Sequence, residues 1–180
     1  MLIKAINLVR QAELKYQNPL LDVFNQTAIE VCEGQQLDMN FESRDKVTAD
    51  EYIEMIRLKT AVLLGCALQM GAIVAGANPL QQKNIYQFGQ MVGIGFQLMD
   101  DILDVFGEQD KVGKQVGGDI ISNKKTYLLI KALELAEGET KNQLNRWLTV
   151  DDFIPKQKVD AVMDIYNQLN ITNWFYVIIH

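Results

Sequence analysis

Apolar residues recur at helical spacing along most of this chain. Thr48-x-x-Glu51 fits a capping box, which predicts a helix starting near Ala49. Its apolar positions are Ile53, Ile56, Leu63, Leu64, Ala67, Leu68 and Met70. Residues 61–77 carry no charge, which predicts burial on most sides there. Asn18-Pro19 and Asn78-Pro79 each read as an N-cap followed by proline in a first helical turn. The second pair opens a helix predicted over about 80–106. Further helices are predicted before Tyr16, over about 123–137 and 156–170, and near 140–148. No strand alternation with hairpin turns is present. The predicted fold class is therefore all-α, a bundle of long helices with residues 61–77 and 91–106 at its centre.

Composition narrows the function classes. The 180 residues suit one domain, at about 150 residues per domain. With 48% apolar and 22% charged residues, the chain is of ordinary globular type. Its net charge of −6 gives no electrostatic reason to bind nucleic acid. The single histidine is His180, at the chain end, so a histidine base or histidine-rich zinc site has little to draw on. Cys32 and Cys66 form no CxxC pattern and read as buried free thiols in a reducing compartment. Lys4, Asn7 and Arg10 interrupt the first apolar run, against a secretory signal. No stretch approaches the ~20 apolar residues of a spanning helix. A cytoplasmic protein without a membrane span is expected.

Three acids then change the picture. Asp100, Asp101 and Asp104 are the only charged residues between Tyr86 and Phe106. Charged side chains are seldom buried unpaired, so acids in so apolar a helix need a partner. Asp100 and Asp104 stand at i and i+4 and share a face, with Asp101 turned by about 100°. Converging carboxylates repel, and a cation relieves that repulsion. All-oxygen ligands favour Mg²⁺, which completes its shell with water and substrate phosphate. Taken alone, the pattern fits either such a site or the acidic, solvated end of a helix.

Basic groups follow closely. Lys111, Gly113, Lys114, Gly117, Gly118 and Asp119 form a loop after Gly107, and Asn123-Lys124-Lys125-Thr126 opens the next predicted helix. Glycines admit an anion close to backbone, lysines bind phosphate, and a helix N-terminus near Asn123 adds oriented N–H groups. Lys59-Thr60 adds a lysine at the edge of the charge-free segment. Solvated loop lysines and a snorkelling Lys59 are the alternatives.

The run Phe96-Gln97-Leu-Met-Asp100-Asp101-Ile-Leu-Asp104, then Gly113-Lys114-x-x-Gly117-Gly118-Asp119 and Asn123-Lys124-Lys125-Thr126, resembles the second aspartate-rich motif of the trans-isoprenyl diphosphate synthases. Gly34-Gln35-x-x-Asp38 and Lys59-Thr60-Ala61 are similar to two further family elements, in the family's order, and the likeness covers about 1–170. The resemblance implies long antiparallel helices around an apolar cavity. It implies Mg²⁺-dependent head-to-tail condensation of isopentenyl diphosphate with an allylic diphosphate through an allylic carbocation. By matching motif positions, Asp100, Asp101 and Asp104 are expected to hold Mg²⁺, Asp100 foremost. Lys59, Lys114 and Lys124 are expected on the allylic diphosphate. Gln97, Thr60 and the Lys59 carbonyl would turn oxygens to the cation, Phe96 would border the isopentenyl tail, and Gln35 and Asp38 would support the site. Homodimers are usual in this family.

The chain departs from the family at both ends. The family's first aspartate-rich motif and its arginine pair have no counterpart, since Asp151-Asp152 is followed by Pro155 and no two arginines are adjacent. Residues 171–180 end in an atypical apolar run. The expectation is a single partial synthase domain over 1–180, with Met1 matching an internal family position and with weak or no activity of its own. A non-catalytic helical partner subunit is the alternative. A terpene cyclase fits less well, because Gly118-Asp119-Ile-Ile-Ser122-x-x-x-Thr126 misses the cyclase motif at both ends.

Overall fold

The computed structural model describes residues 2–107 and 117–173, and every regular element among them is helical, as expected. In chain order they are α1 (Leu2–Val9), α2 (Leu14–Ser43), α3 (Ala49–Ile56), a π-helical turn (Arg57–Ala61), α4 (Val62–Val74), α5 (Pro79–Phe106), α6 (Gly118–Ile121), α7 (Tyr127–Leu135), α8 (Gly138–Thr149) and α9 (Pro155–Gln168). They group into two compact bodies. One joins the described part of Met1–Met39 to Glu54–Gly95, and the other joins Asn40–Ile53 to the described part of Phe96–His180. The predicted Lys111, Gly113 and Lys114 and the apolar run 174–179 lie outside the described residues.

Two helix starts follow the local signals. Thr48 N–H donates to Glu51 Oε2 at 2.9 Å, and Glu51 N–H donates back to Thr48 Oγ1 at 3.3 Å. Asn78 and Gln81 exchange the same pair of bonds, both at 3.0 Å, which fixes the start of α5. The third signal misleads. Pro19 is the sixth residue of α2, which begins at Leu14, so the helix forgoes the backbone bond that residue 19 would donate.

In the first body, small residues let backbones meet. A Cβ on Gly34 of α2 would lie 2.4 Å from the Lys59 nitrogen, and one on Gly93 of α5 would lie 2.5 Å from Ala61 Cα. Val9, Leu20 and Ile73 make an apolar cluster with Tyr16, Val23 and Met70 around it. The helix that begins at Ala49 runs on as predicted, but its middle turn is π-helical. The charge-free segment is also two-faced. Ala61, Val62, Cys66 and Ile73 are buried, whereas Leu63, Leu68 and Val74 are exposed, which corrects the expectation of burial on most sides. By length and composition alone, Ala49–Val74 is apolar enough to cross a membrane, with a mean hydropathy of 1.4 over its best window, so the sequence reading underestimated it. Core helices of globular bundles have the same composition, and the contacts at Gly34 and Gly93 are of that kind. Cys32 is exposed, against expectation, and Cys66 is buried.

In the second body, α9 packs against α6, α7 and α8. Leu128, Leu144, Val162, Ile165 and Tyr166 are buried there. The predicted helix over 123–137 starts later. Thr126 is its N-cap, accepting from Leu129 N–H at 3.4 Å, and Asn123 is in the left-handed region at φ 54°. That conformation breaks the helical run before Thr126.

Candidate functional site

The three acids of α5 take three different environments. Asp100 is exposed. Asp101, one residue on, faces inward and is buried. Its Oδ2 accepts from the Tyr52 hydroxyl at 2.5 Å and its Oδ1 from Gln97 Nε2 at 3.4 Å. Burial pushes its carboxyl up to about 6, against the pull of the Tyr52 hydroxyl, Lys124 and Gln97, while Asp119 adds to the rise.

Asp104 holds the segment that follows. Its carbonyl accepts from Gly117 N–H at 2.6 Å, and its Oδ2 accepts from Asp119 N–H at 2.9 Å, at the start of α6. Gly117 takes φ 83°, which a glycine adopts at little cost. Asp119 pairs with the Lys124 ammonium at 3.4 Å. Burial raises the Asp119 carboxyl, Lys124 opposes that, and Asp104 and Asp100 add to it. One short segment thus brings a further carboxylate, Asp119, and a lysine to the end of α5, beside Asp104. Phe96, two turns earlier, is exposed, and Gln97 is half-buried.

In the other body, Lys59 and Thr60 lie on the π-helical turn, where local widening often marks function. Lys59 Nζ bonds Asp38 Oδ2 at 2.5 Å, so the lysine of one motif element meets the aspartate of the other.

Among the described residues no three His, Cys, Asp or Glu side chains gather to hold one metal ion. Asp101 is the reason within the motif, since both its oxygens are engaged inside the protein. The donor set still suits Mg²⁺. That ion typically takes only one or two carboxylates, and exposed Asp100 and half-buried Asp104 offer oxygen donors alone. Sequence reasoning missed Tyr52, whose only signal is an aromatic on the apolar face of α3. It noted Asp119 in the motif without giving it a role.

A family model for polyprenyl synthetase matches residues 1–169. The chain belongs to the polyprenyl synthetase family. Among relatives, it is 34% identical over 170 residues to a short chain isoprenyl diphosphate synthase of Methanothermobacter thermautotrophicus, covering 94% of this chain and 51% of that protein. Among solved polyprenyl synthetase structures, a geranylgeranyl pyrophosphate synthase superposes with a TM-score of 0.92 at 42% identity, over 98% of this chain and 55% of the other. The geranylgeranyl pyrophosphate synthetase of Pyrococcus horikoshii gives 0.87 at 32% identity, over 98% and 54%. The chain spans about half the length of these relatives.

Proposed function

We propose that this chain carries the second aspartate-rich half-site of a prenyl-transfer enzyme. The reaction is condensation of isopentenyl diphosphate with an allylic diphosphate, in the cytoplasm. The observation that carries the reading is the segment Gly117–Lys124, which Asp104 ties to the end of α5 and which presents Lys124 beside the acids.

In this reading Asp100 and Asp104 hold Mg²⁺, and Asp101 shapes the site from within the protein. The bound metal supplies electrophilic pull on the leaving diphosphate. Lys124, with Lys59 and Lys114 by motif, offsets charge as the allylic carbon–oxygen bond breaks. Gln97 and Thr60 aim oxygens at the allylic cation. The alkene of isopentenyl diphosphate attacks that cation, and loss of a proton completes the product. Phe96 lines the path of the apolar tail, and apolar walls keep out the water that would otherwise quench the cation.

A thermal melt with and without Mg²⁺ plus geranyl diphosphate tests the reading. A ligand that binds only the folded state adds about 2.7 kcal/mol at a hundredfold excess over its Kd. The expected result is a Mg²⁺-dependent rise in Tm that Asp100→Asn abolishes. A cooperative melt with no rise would overturn the half-site and favour a non-catalytic partner subunit. A condensation assay on the same sample then reads turnover.

A further inference from the structure

The side chain of Lys158, on α9, is fully buried, yet no step of the proposed chemistry uses it. Lysine is almost never buried without a specific partner. Here the partners lie on the segment that presents Lys124. Lys158 Nζ donates to Asn123 Oδ1 at 2.6 Å and to the Ile121 carbonyl at 3.3 Å. It also lies 4.3 Å from the centre of the Phe153 ring.

The geometry around Asn123 gives the contact its effect. Asn123 holds a left-handed backbone, and its amide is engaged at both ends: Oδ1 accepts from Lys158, and Nδ2 donates to the Leu148 carbonyl at 3.0 Å. The next residue is Lys124, whose N–H reaches the Asp119 carbonyl at 2.9 Å and whose carbonyl accepts from Thr126 N–H at 2.8 Å. The other end of the segment is held from the same helix. A Cβ on Gly117 would fall 2.6 Å from Val159 Cγ2, so Val159 sits directly against that glycine. Adjacent residues of α9 therefore grip both ends of Gly117–Asn123, and Asp104 grips it from α5.

We propose that Lys158 is a positioning residue for Lys124: its buried ammonium locks the left-handed turn at Asn123 and so sets where the neighbouring lysine meets a diphosphate. The role of Lys124 rests on the half-site reading above, whereas the locking of the turn does not.

Amide hydrogen exchange and the Lys124 Cε resonance are measured without ligand, in wild type, Lys158→Met and Asn123→Gly. Methionine keeps much of the length and removes the donor. Glycine keeps the left-handed backbone, removes the amide, and serves if the first variant does not fold. Exchange at the Lys124 and Thr126 amides is expected to quicken on the order of tenfold or more, and the Cε signal to move, while Val162 and Ile165 stay protected. Unchanged exchange at 124 and 126, or faster exchange throughout α9, would overturn the proposal, the latter by making Lys158 an ordinary packing residue. Binding of Mg²⁺ with inorganic pyrophosphate is then compared, with a loss on the order of tenfold expected in Lys158→Met, the usual scale for residues that orient a site. Absence of binding in wild type would overturn the half-site reading and leave the exchange result to decide the lock. Equal binding by wild type and variant would overturn the positioning role.

Discussion

Tyr52 donates a 2.5 Å hydrogen bond to Asp101 across 49 residues of sequence, and both side chains are buried. The bond ties α3 to the acid-bearing end of α5. It also accounts for Asp101 standing apart from Asp100 and Asp104, because a carboxylate held by Tyr52 and Gln97 has its oxygens engaged within the protein. Tyr52→Phe removes the donor and leaves an under-solvated carboxylate, at an expected cost of about 1–3 kcal/mol. Urea denaturation measures it. A midpoint equal to wild type would show that the bond contributes nothing to folding.

The raised Asp101 carboxyl makes stability depend on pH. Its folded value of about 6 lies above the ordinary 3.8, so the folded protein holds this proton more tightly than the unfolded chain does. The contribution is whole below the ordinary value and is lost as pH rises through about 6. The expected loss is about 3 kcal/mol. Asp101→Asn keeps an acceptor for Tyr52 and cannot ionise. In metal-free buffer, the stability of wild type relative to this variant is expected to fall between pH 4 and 7. Glu51, held down to about 2 by Arg44, changes stability at lower pH and cancels in the difference. Parallel curves for the two proteins would contradict the account.

The close backbone approaches in the first body give a sharp contrast among glycines. Alanine at Gly34 or Gly93 would drive a methyl into backbone at 2.4 Å from Lys59 N or 2.5 Å from Ala61 Cα, and each is expected to destabilise by about 1–3 kcal/mol. Gly71, also helical, has nothing within 4 Å of an added Cβ, so Gly71→Ala is expected to be neutral or stabilising by up to about 1 kcal/mol. Thermal melts of the three variants check the order.

What the sequence made legible is what is decided locally. The capping pairs at Thr48 and Asn78 work within one turn, and both helix starts fell where those residues put them. The family match and the all-helical fold followed from motifs and periodicity. Long-range partners decided the rest. The helix predicted from Asn123 starts only at Tyr127, capped by Thr126, because Asn123 is held in a left-handed turn by Lys158, 35 residues on. Asp101 left its two neighbours for Tyr52, which helical spacing alone could not show. In the polar pattern of α9, nothing marks Lys158 as buried. Lys59 carried a recognisable motif, but not the π-helical turn it stands on.

The paired lysines of the Asn-Lys-Lys-Thr run provide the most discriminating test of the half-site. They are adjacent and carry the same charge, so any general electrostatic attraction for a diphosphate would count them nearly alike. The fold separates them. Lys124 is exposed beside Asp119, 3.4 Å away, on the segment that Asp104 holds. Lys125 reaches back to the Glu42 carbonyl at 3.5 Å. A charge-assisted contact to a phosphate oxygen contributes about 1.5–3 kcal/mol, which corresponds to roughly ten- to hundredfold in affinity. Lys124→Met is therefore expected to weaken Mg²⁺-dependent binding of geranyl diphosphate by at least tenfold, and Lys125→Met by no more than about twofold. Calorimetric titration distinguishes the two. Equal losses would mean that bulk charge attracts the ligand, and the built position of Lys124 would then have no part in binding.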